Sequence, residues 1–507
     1  MHRYPAFVLA LSAATALAQP PAAAQPEPQL DLQPDLQPAP VESPNYAALR
    51  NARLETIPDA ERAWPLYAQI QAILAPHART FRTIQGAAPG SSNWPDATAL
   101  LDSIPTLLPL VEQLQSRPEL AWPWTDALPA EWVHTVRGPD APVGDPSPHP
   151  LLSKILLPYV GTIQTAAECV RMEALRAAEQ GNSQRAVEIL ELIPPMVRHL
   201  GETRVANTAV GAITVQNTTL VQGVLQLTSL YGDAFSAEDL DRLDGLLAAV
   251  THQKFSPDII ADEETLFADV IDTIYNEFDP LGEPQISVRG AGLLMQLSGS
   301  AIPPDLDPDS DMPEESKKTG IARFRTIALS YDETTMGWQR AWDAAAAESS
   351  EPVWTWDGRP SLAMLREESS AAAESGRALP HLLFVGSFGR IAELSELLHV
   401  RTQAARLAVA LQRYHNQTGT WPDALDALVP DTIDAIPADW VDGSPLRYLP
   451  SQDDNPDAKP TIYSIGPDGD DDDAKALPPG AGEHYIYPAQ REANPDAIPD
   501  GDWILWP

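Results

Sequence analysis

The chain of 507 residues contains one cysteine, Cys169, so it can form no internal disulfide and offers no thiolate cluster to zinc. Its ten histidines are scattered, with no pair at i, i+4. Basic residues are scarce: 33 Lys and Arg stand against 71 Asp and Glu, a net charge of −38. That balance excludes the clustered cations that nucleic-acid phosphates require and disfavours anionic membrane surfaces. Divalent cations or basic protein partners suit it better, and much of the charge serves as a solvated, solubilising surface. Beyond the N-terminus no run of eighteen apolar residues occurs, which excludes a conventional membrane span. HExxH, GxSxG, phosphate-loop and dinucleotide fingerprints are all missing. Cys169 lies in the helix-like stretch TAAECVRMEAL. It reads as a small buried apolar residue, with a catalytic thiol as the alternative.

What is present begins with an export signal. Arg3 precedes the apolar run AFVLALSAATALA, which ends in small residues at Ala16 and Ala18 before Gln19. These are the parts of a secretory signal peptide over residues 1–18, and the run is too short to span a bilayer. The expected location is periplasmic or extracellular. Residues 19–44 hold eight prolines among Ala, Gln, Glu and Asp and read as an extended linker.

From 45 to about 385 the apolar spacing is helical, with a possible internal boundary near 280–320. Gly181-Asn182-Ser183 carries a helix stop and a new cap. Ala186, Ile189, Leu190 and Ile193 then follow at i, i+3, i+4, i+7, and Pro194-Pro195 is expected to kink or end that helix. Ser236 to Asp239 forms a capping-box-like start ahead of Leu240, Leu243, Leu246, Leu247 and Val250. Ser256-Pro257 opens a further helix. The expectation is a helical bundle or hairpin stack, with a fragment at LRAAEQGNSQRAVEIL that has a tetratricopeptide flavour but no second copy at a fixed period. In the acidic loop after Pro304, Asp305, Asp307 and Asp309 alternate like early EF-hand ligands. Ser310 stands where that loop needs Gly, however, and Ser316 where it needs Glu. A solvated acidic loop is the other reading.

The strongest pattern lies in 386–507. Leu397, Val400, Ala404, Leu407, Leu411 and Tyr414 are spaced 3,4,3,4,3, one stripe of a long helix. Tyr414, Gly419, Trp421 and Pro422 follow, then Leu425 and Leu428. Next come Asp442, Gly443, Pro445, Leu446 and Tyr448, then the turn Tyr463, Ser464, Gly466, Pro467, Asp468, Gly469, and finally Asp502-Trp503. In this order the parts resemble the major, G-type pseudopilin of type II secretion systems, over about 110 of 507 residues. The resemblance implies a small α+β module with an antiparallel sheet and a calcium site that pins its C-terminal loop. It implies Asp468 and Asp502 as carboxylate ligands, with Ser464 and the Ile465 carbonyl beside them, and one or more of Asp470, Asp471, Asp472 and Asp473 completing the shell.

Two features depart from that pattern. The segment before Val400 carries Arg390, Glu393, Glu396 and His399 in place of an apolar filament-core helix. Residues 474–499 form an insert between the acidic turn and Asp502. The functional expectation is an exported, non-enzymatic envelope protein whose helical part serves as an interaction scaffold. The alternative is an exported hydrolase acting on glycans, with Trp122, Trp124, Trp354 and Trp356 for stacking and carboxylates for acid–base work.

Overall fold

The computed structural model describes residues 44–137, 143–144, 147, 150–152, 155, 157–251, 260–297, 301–355, 382–451, 459–478 and 498–506. The expected signal peptide and nearly all of the expected linker lie outside the described residues, as do Ser256-Pro257 and Trp356. The fold is mainly helical, with small antiparallel sheets of two and three strands.

Local chemistry sets the helix ends. Gly181 takes φ +80°, and the amides of Gly181 and Asn182 close onto Ala178 and Ala177, ending helix Tyr159–Glu179. The Asn182 side chain then accepts from the Arg185 amide at 3.2 Å and starts helix Ser183–Leu190. Ser236 and Asp239 cap reciprocally: the Asp239 amide donates to Ser236 Oγ at 3.1 Å and Asp239 Oδ2 accepts from the Ser236 amide at 3.2 Å. The proline pair behaves differently from expectation. The chain breaks at Glu191-Leu192, before the prolines, and Pro194-Pro195 sit in the first turn of helix Ile193–Gly201. There their missing N–H groups would have had no intrahelical acceptor anyway.

Helix Tyr159–Glu179 is the central post. It packs against Trp64–Leu74, Ser183–Leu190, Ile193–Gly201, Ala206–Val215 and Gln222–Tyr231. It carries a fully buried cation, Arg171. Glu168 holds that guanidinium through bonds of 2.6 and 2.9 Å, joined by Gln226 Oε1 at 2.6 Å and the Ala87 carbonyl at 2.9 Å. The charge is thus satisfied on every side, as a buried ion must be. Cys169, two positions before Arg171, is 1 % exposed, and burial pushes its thiol up, out of the nucleophilic range. The stretch from Glu277 to Arg325, which spans the boundary expected near 280–320, holds the hairpin β1 (Glu277–Phe278) and β2 (Pro284–Gln285), then helices Val288–Leu297 and Glu314–Arg325.

The long helix Leu382–Thr418 lies across Ala206–Val215, Gln222–Tyr231, Ala237–Thr251 and Tyr331–Ser350. Val400, Ala404, Leu407 and Leu411 of the expected stripe are buried, and Ala405, Ala408 and Val409 are buried beside them. The buried surface is wider than one stripe because the sheet of the C-terminal region packs on this helix too. That sheet runs β3 (Arg447–Leu449), β4 (Thr461–Ser464), β5 (Trp503–Trp506), with Tyr448 opposite Ile462 and Ser464 opposite Trp503. One apolar cluster extends from Ala63 to Trp506, so the helical region and the C-terminal region share a core. Lys459 fastens the two. Its Nζ donates to the carbonyls of Thr228 and Ser229 at 3.1 and 2.8 Å, while lying 5.9 Å from the Trp421 and Trp506 rings. Among the described residues no helix is long and apolar enough to cross a membrane.

Candidate metal centre

Tyr448 and Pro422, two of the residues quoted for the resemblance, meet in space. The Tyr448 hydroxyl donates to the Pro422 carbonyl at 2.7 Å, and Trp421 touches Trp506 edge-on at 5.8 Å. Asp442 Oδ1 accepts from the Ser444 amide at 2.9 Å and Asp442 Oδ2 pairs with Arg447 at 2.7 Å, while Gly443 takes φ +73°. In the acidic turn Gly466 has φ +72°, and a Cβ there would lie 2.1 Å from the Gly501 carbonyl oxygen. Only glycine lets the turn approach the segment before β5 this closely. Asp473 and Ala474 both take positive φ, 56° and 64°, and swing the chain back toward Asp502.

This backbone sorts the carboxylates into two groups. Asp468, Asp470 and Asp472 each direct an oxygen to one place, and the three oxygens lie within 4.8 Å of one another. No other such group of His, Cys, Asp or Glu occurs among the described residues. Asp468 Oδ1 and Asp472 Oδ2 are buried and lack hydrogen-bond partners. Burial and the charges of Asp470 and Asp472 hold the Asp468 carboxyl above the usual carboxylate range. Asp471 turns the other way. Its Oδ1 accepts from the Tyr463 hydroxyl at 3.0 Å and from the Asp473 amide at 3.1 Å.

Asp502 reaches the turn despite the insert, but faces backbone. Its Oδ2 accepts from the Ala474 amide at 2.8 Å and its Oδ1 from the Asp472 amide at 3.4 Å. Burial, with the nearby charges of Asp471 and Asp472, pushes it up to about 6. Asp468 Oδ2 in turn accepts from the Gly501 amide at 2.9 Å. Ser464 and Ile465 are engaged by a residue that the motif reading passed over. Asp439 is fully buried, and its Oδ1 accepts from Ser464 Oγ at 2.7 Å and the Val441 amide at 3.0 Å. Its Oδ2 accepts from the Ile465 amide at 3.1 Å and lies 3.3 Å from Arg447. A lone Asp twenty-five positions before Ser464 carries no spacing signal, so only the fold exposes its role.

No family model matches the chain, and neither does any curated protein or solved structure. The other sequence candidates sit apart from this turn. Asp305 is paired with Arg323 at 2.9 Å, and Asp307 Oδ1 accepts from the Asp309 amide at 3.0 Å. Trp122 and Trp124 are buried in apolar clusters, where they cannot stack on a sugar.

Proposed function

We propose that the chain is an exported, acidic, non-enzymatic envelope protein in which a helical scaffold carries a calcium-stabilised, pseudopilin-G-like module. The observation that carries the reading is the convergence of Asp468, Asp470 and Asp472 with two buried oxygens that have no partner. Uncompensated buried carboxylate oxygens are costly, and a hard cation that takes six to eight oxygens removes that cost. Asp468, Asp470 and Asp472 would hold the ion, and its charge would offset their mutual repulsion. Asp502 and Asp439 would act behind them, fixing the turn's amides. The bond from the Tyr448 hydroxyl to the Pro422 carbonyl supports the module resemblance. Packed helical hairpins support a scaffold role, because such stacks present broad surfaces to other chains.

The test is thermal unfolding of the full chain with calcium or magnesium. A ligand specific to the folded state adds about 2.7 kcal/mol at a hundredfold excess over Kd. Calcium should raise the transition, and magnesium, which demands a tighter octahedron, should raise it much less. Asp470→Asn, at an exposed position, should remove most of the calcium effect while leaving the metal-free transition in place. Equal shifts from both ions, or a calcium response that survives Asp470→Asn, would reduce the turn to ordinary charge screening.

A further inference from the structure

We propose that the cleft between the long helix Leu382–Thr418 and the 430–438 loop binds a neutral carbohydrate. This cleft shares no residue with the acidic turn and does not depend on the calcium reading. Its volume is about 580 Å³, within the range of small-molecule sites. Along the helix, His399, Gln403, Arg406 and Arg413 recur at 4, 3 and 7 residues, a half-exposed polar stripe that faces the cleft. Asp431 and Asp434 stand exposed on the opposing loop, and Trp354 closes one side.

The charge pattern narrows the ligand. Arg406 is neutralised by Asp244 through bonds of 2.7 and 3.2 Å, and Arg413 by Asp241 at 2.6 Å. Among the described residues that line the cleft, no uncompensated Arg or Lys therefore remains for an anionic ligand, which Asp431 and Asp434 would also repel. A cationic ligand meets the opposite difficulty. Arg406 and Arg413 line the same wall, so a cation would lie against guanidinium groups as well as carboxylates. A hydroxyl both donates and accepts, so a polyhydroxylated ring can meet Arg413 and Asp434 together while its C–H face lies on an indole. Trp354 suits that role because it is held in place. Gly443 stands against it so closely that a Cβ would lie 2.5 Å from the indole nitrogen. A rigid platform lowers the ordering cost of binding.

The experiment titrates the full chain with cellopentaose, maltopentaose and chitopentaose, read by calorimetry and tryptophan fluorescence, with spermidine as the cationic probe. At least one pentasaccharide should saturate a single site with little dependence on salt, because neutral ligands are not screened. Trp354→Ala and Asp434→Arg should each weaken it about tenfold or more, with unchanged circular dichroism. Asp434 is exposed, so its replacement tests the cleft even if Trp354→Ala fails to fold. The proposal is overturned if none of the three sugars binds, or if binding persists in Asp434→Arg. It is also overturned if spermidine alone binds, through Trp354 and in a salt-sensitive way.

Discussion

Replacing Asp439 by Ala removes the one side chain that satisfies both the start of the acidic turn and the entry to β3. Three donors lose their acceptor: the Val441 amide, the Ser464 hydroxyl and the Ile465 amide, at 3.0, 2.7 and 3.1 Å. Each belongs to a buried residue. A buried donor left unmade costs about 1–3 kcal/mol, and three such losses are not additive, because water and backbone shifts recover part. Arg447 keeps Asp442 at 2.7 Å, so no charge is orphaned. The expected destabilisation is about 3–5 kcal/mol, in the range seen when one partner of a buried polar network is removed. Asp439→Asn should cost less, about 1–3 kcal/mol, since one oxygen still accepts while its NH₂ opposes a backbone donor. Asp442→Ala, which breaks a partly exposed pair with Arg447 and an exposed bond from the Ser444 amide, should cost about 1–2 kcal/mol.

The assay is unfolding followed by near-ultraviolet circular dichroism, where Trp440 and Trp503, 4.9 Å apart beside this site, report local packing. Because 507 residues need not unfold in one step, the comparison is the midpoint of that local transition, not a global free energy. If Asp439→Ala melts with the wild type and keeps its near-ultraviolet spectrum, the assignment of Asp439 as the hub is wrong. So it is if Asp442→Ala proves the more damaging change.

Gly232→Ala should destabilise the seat of the long helix, because its Cβ would lie 2.0 Å from Gln412 Oε1, while Gly245→Ala, with open space around it, should be neutral or stabilising by under about 1 kcal/mol. Melting of the two variants gives the ranking. Glu202 is pushed up to about 7 by burial, against the opposing amides of Leu120 and Ala121. A raised carboxyl favours the folded state below its ordinary value of 4.5 and loses that contribution as pH rises through about 7. The upper limit is roughly 3 kcal/mol, less with partial solvent screening. Glu202→Gln should therefore gain on the wild type between pH 4.5 and 8, and a pH-independent difference in melting temperature would contradict this. Mass spectrometry of protein recovered from its producing cells should place the mature N-terminus at or near Gln19, and an intact Met1 would remove the export reading.

The helical region was legible wherever punctuation is local. Gly181-Asn182 and Ser236–Asp239 act through bonds spanning three to five residues, and such bonds depend on little else. Pro194-Pro195 was ambiguous for a physical reason: a proline ends one helix or starts the next with the same dihedral, and only packing decides. The stripe from Leu397 to Tyr414 was also readable. Burial of Ala405, Ala408 and Val409 was not, because small residues give no strong periodic signal and their partners come from distant segments.

The acidic turn shows the same divide between composition and geometry. Its carboxylates are plain in the sequence, yet the split of Asp468, Asp470 and Asp472 from Asp471 follows from backbone angles at Gly466, Asp473 and Ala474. The insert illustrates why Asp502 could stay in register across residues 474–499. Its near end is fixed where the Asp502 amide donates to the Lys475 carbonyl at 2.7 Å and the Leu477 amide to the Asp502 carbonyl at 3.2 Å. The Gly501 amide adds its bond to Asp468 at 2.9 Å. Doubling the length of a loop closed by such a clamp costs only about 0.6 kcal/mol, less than one of these buried bonds is worth when broken. The number of residues between Pro478 and Ile498 is therefore a weak constraint on the turn. Gly501 is a strong one: with φ +128°, a Cβ there would meet the Lys475 carbonyl oxygen at 2.8 Å. Shortening the insert should leave the turn intact, whereas a side chain at Gly501 should open it.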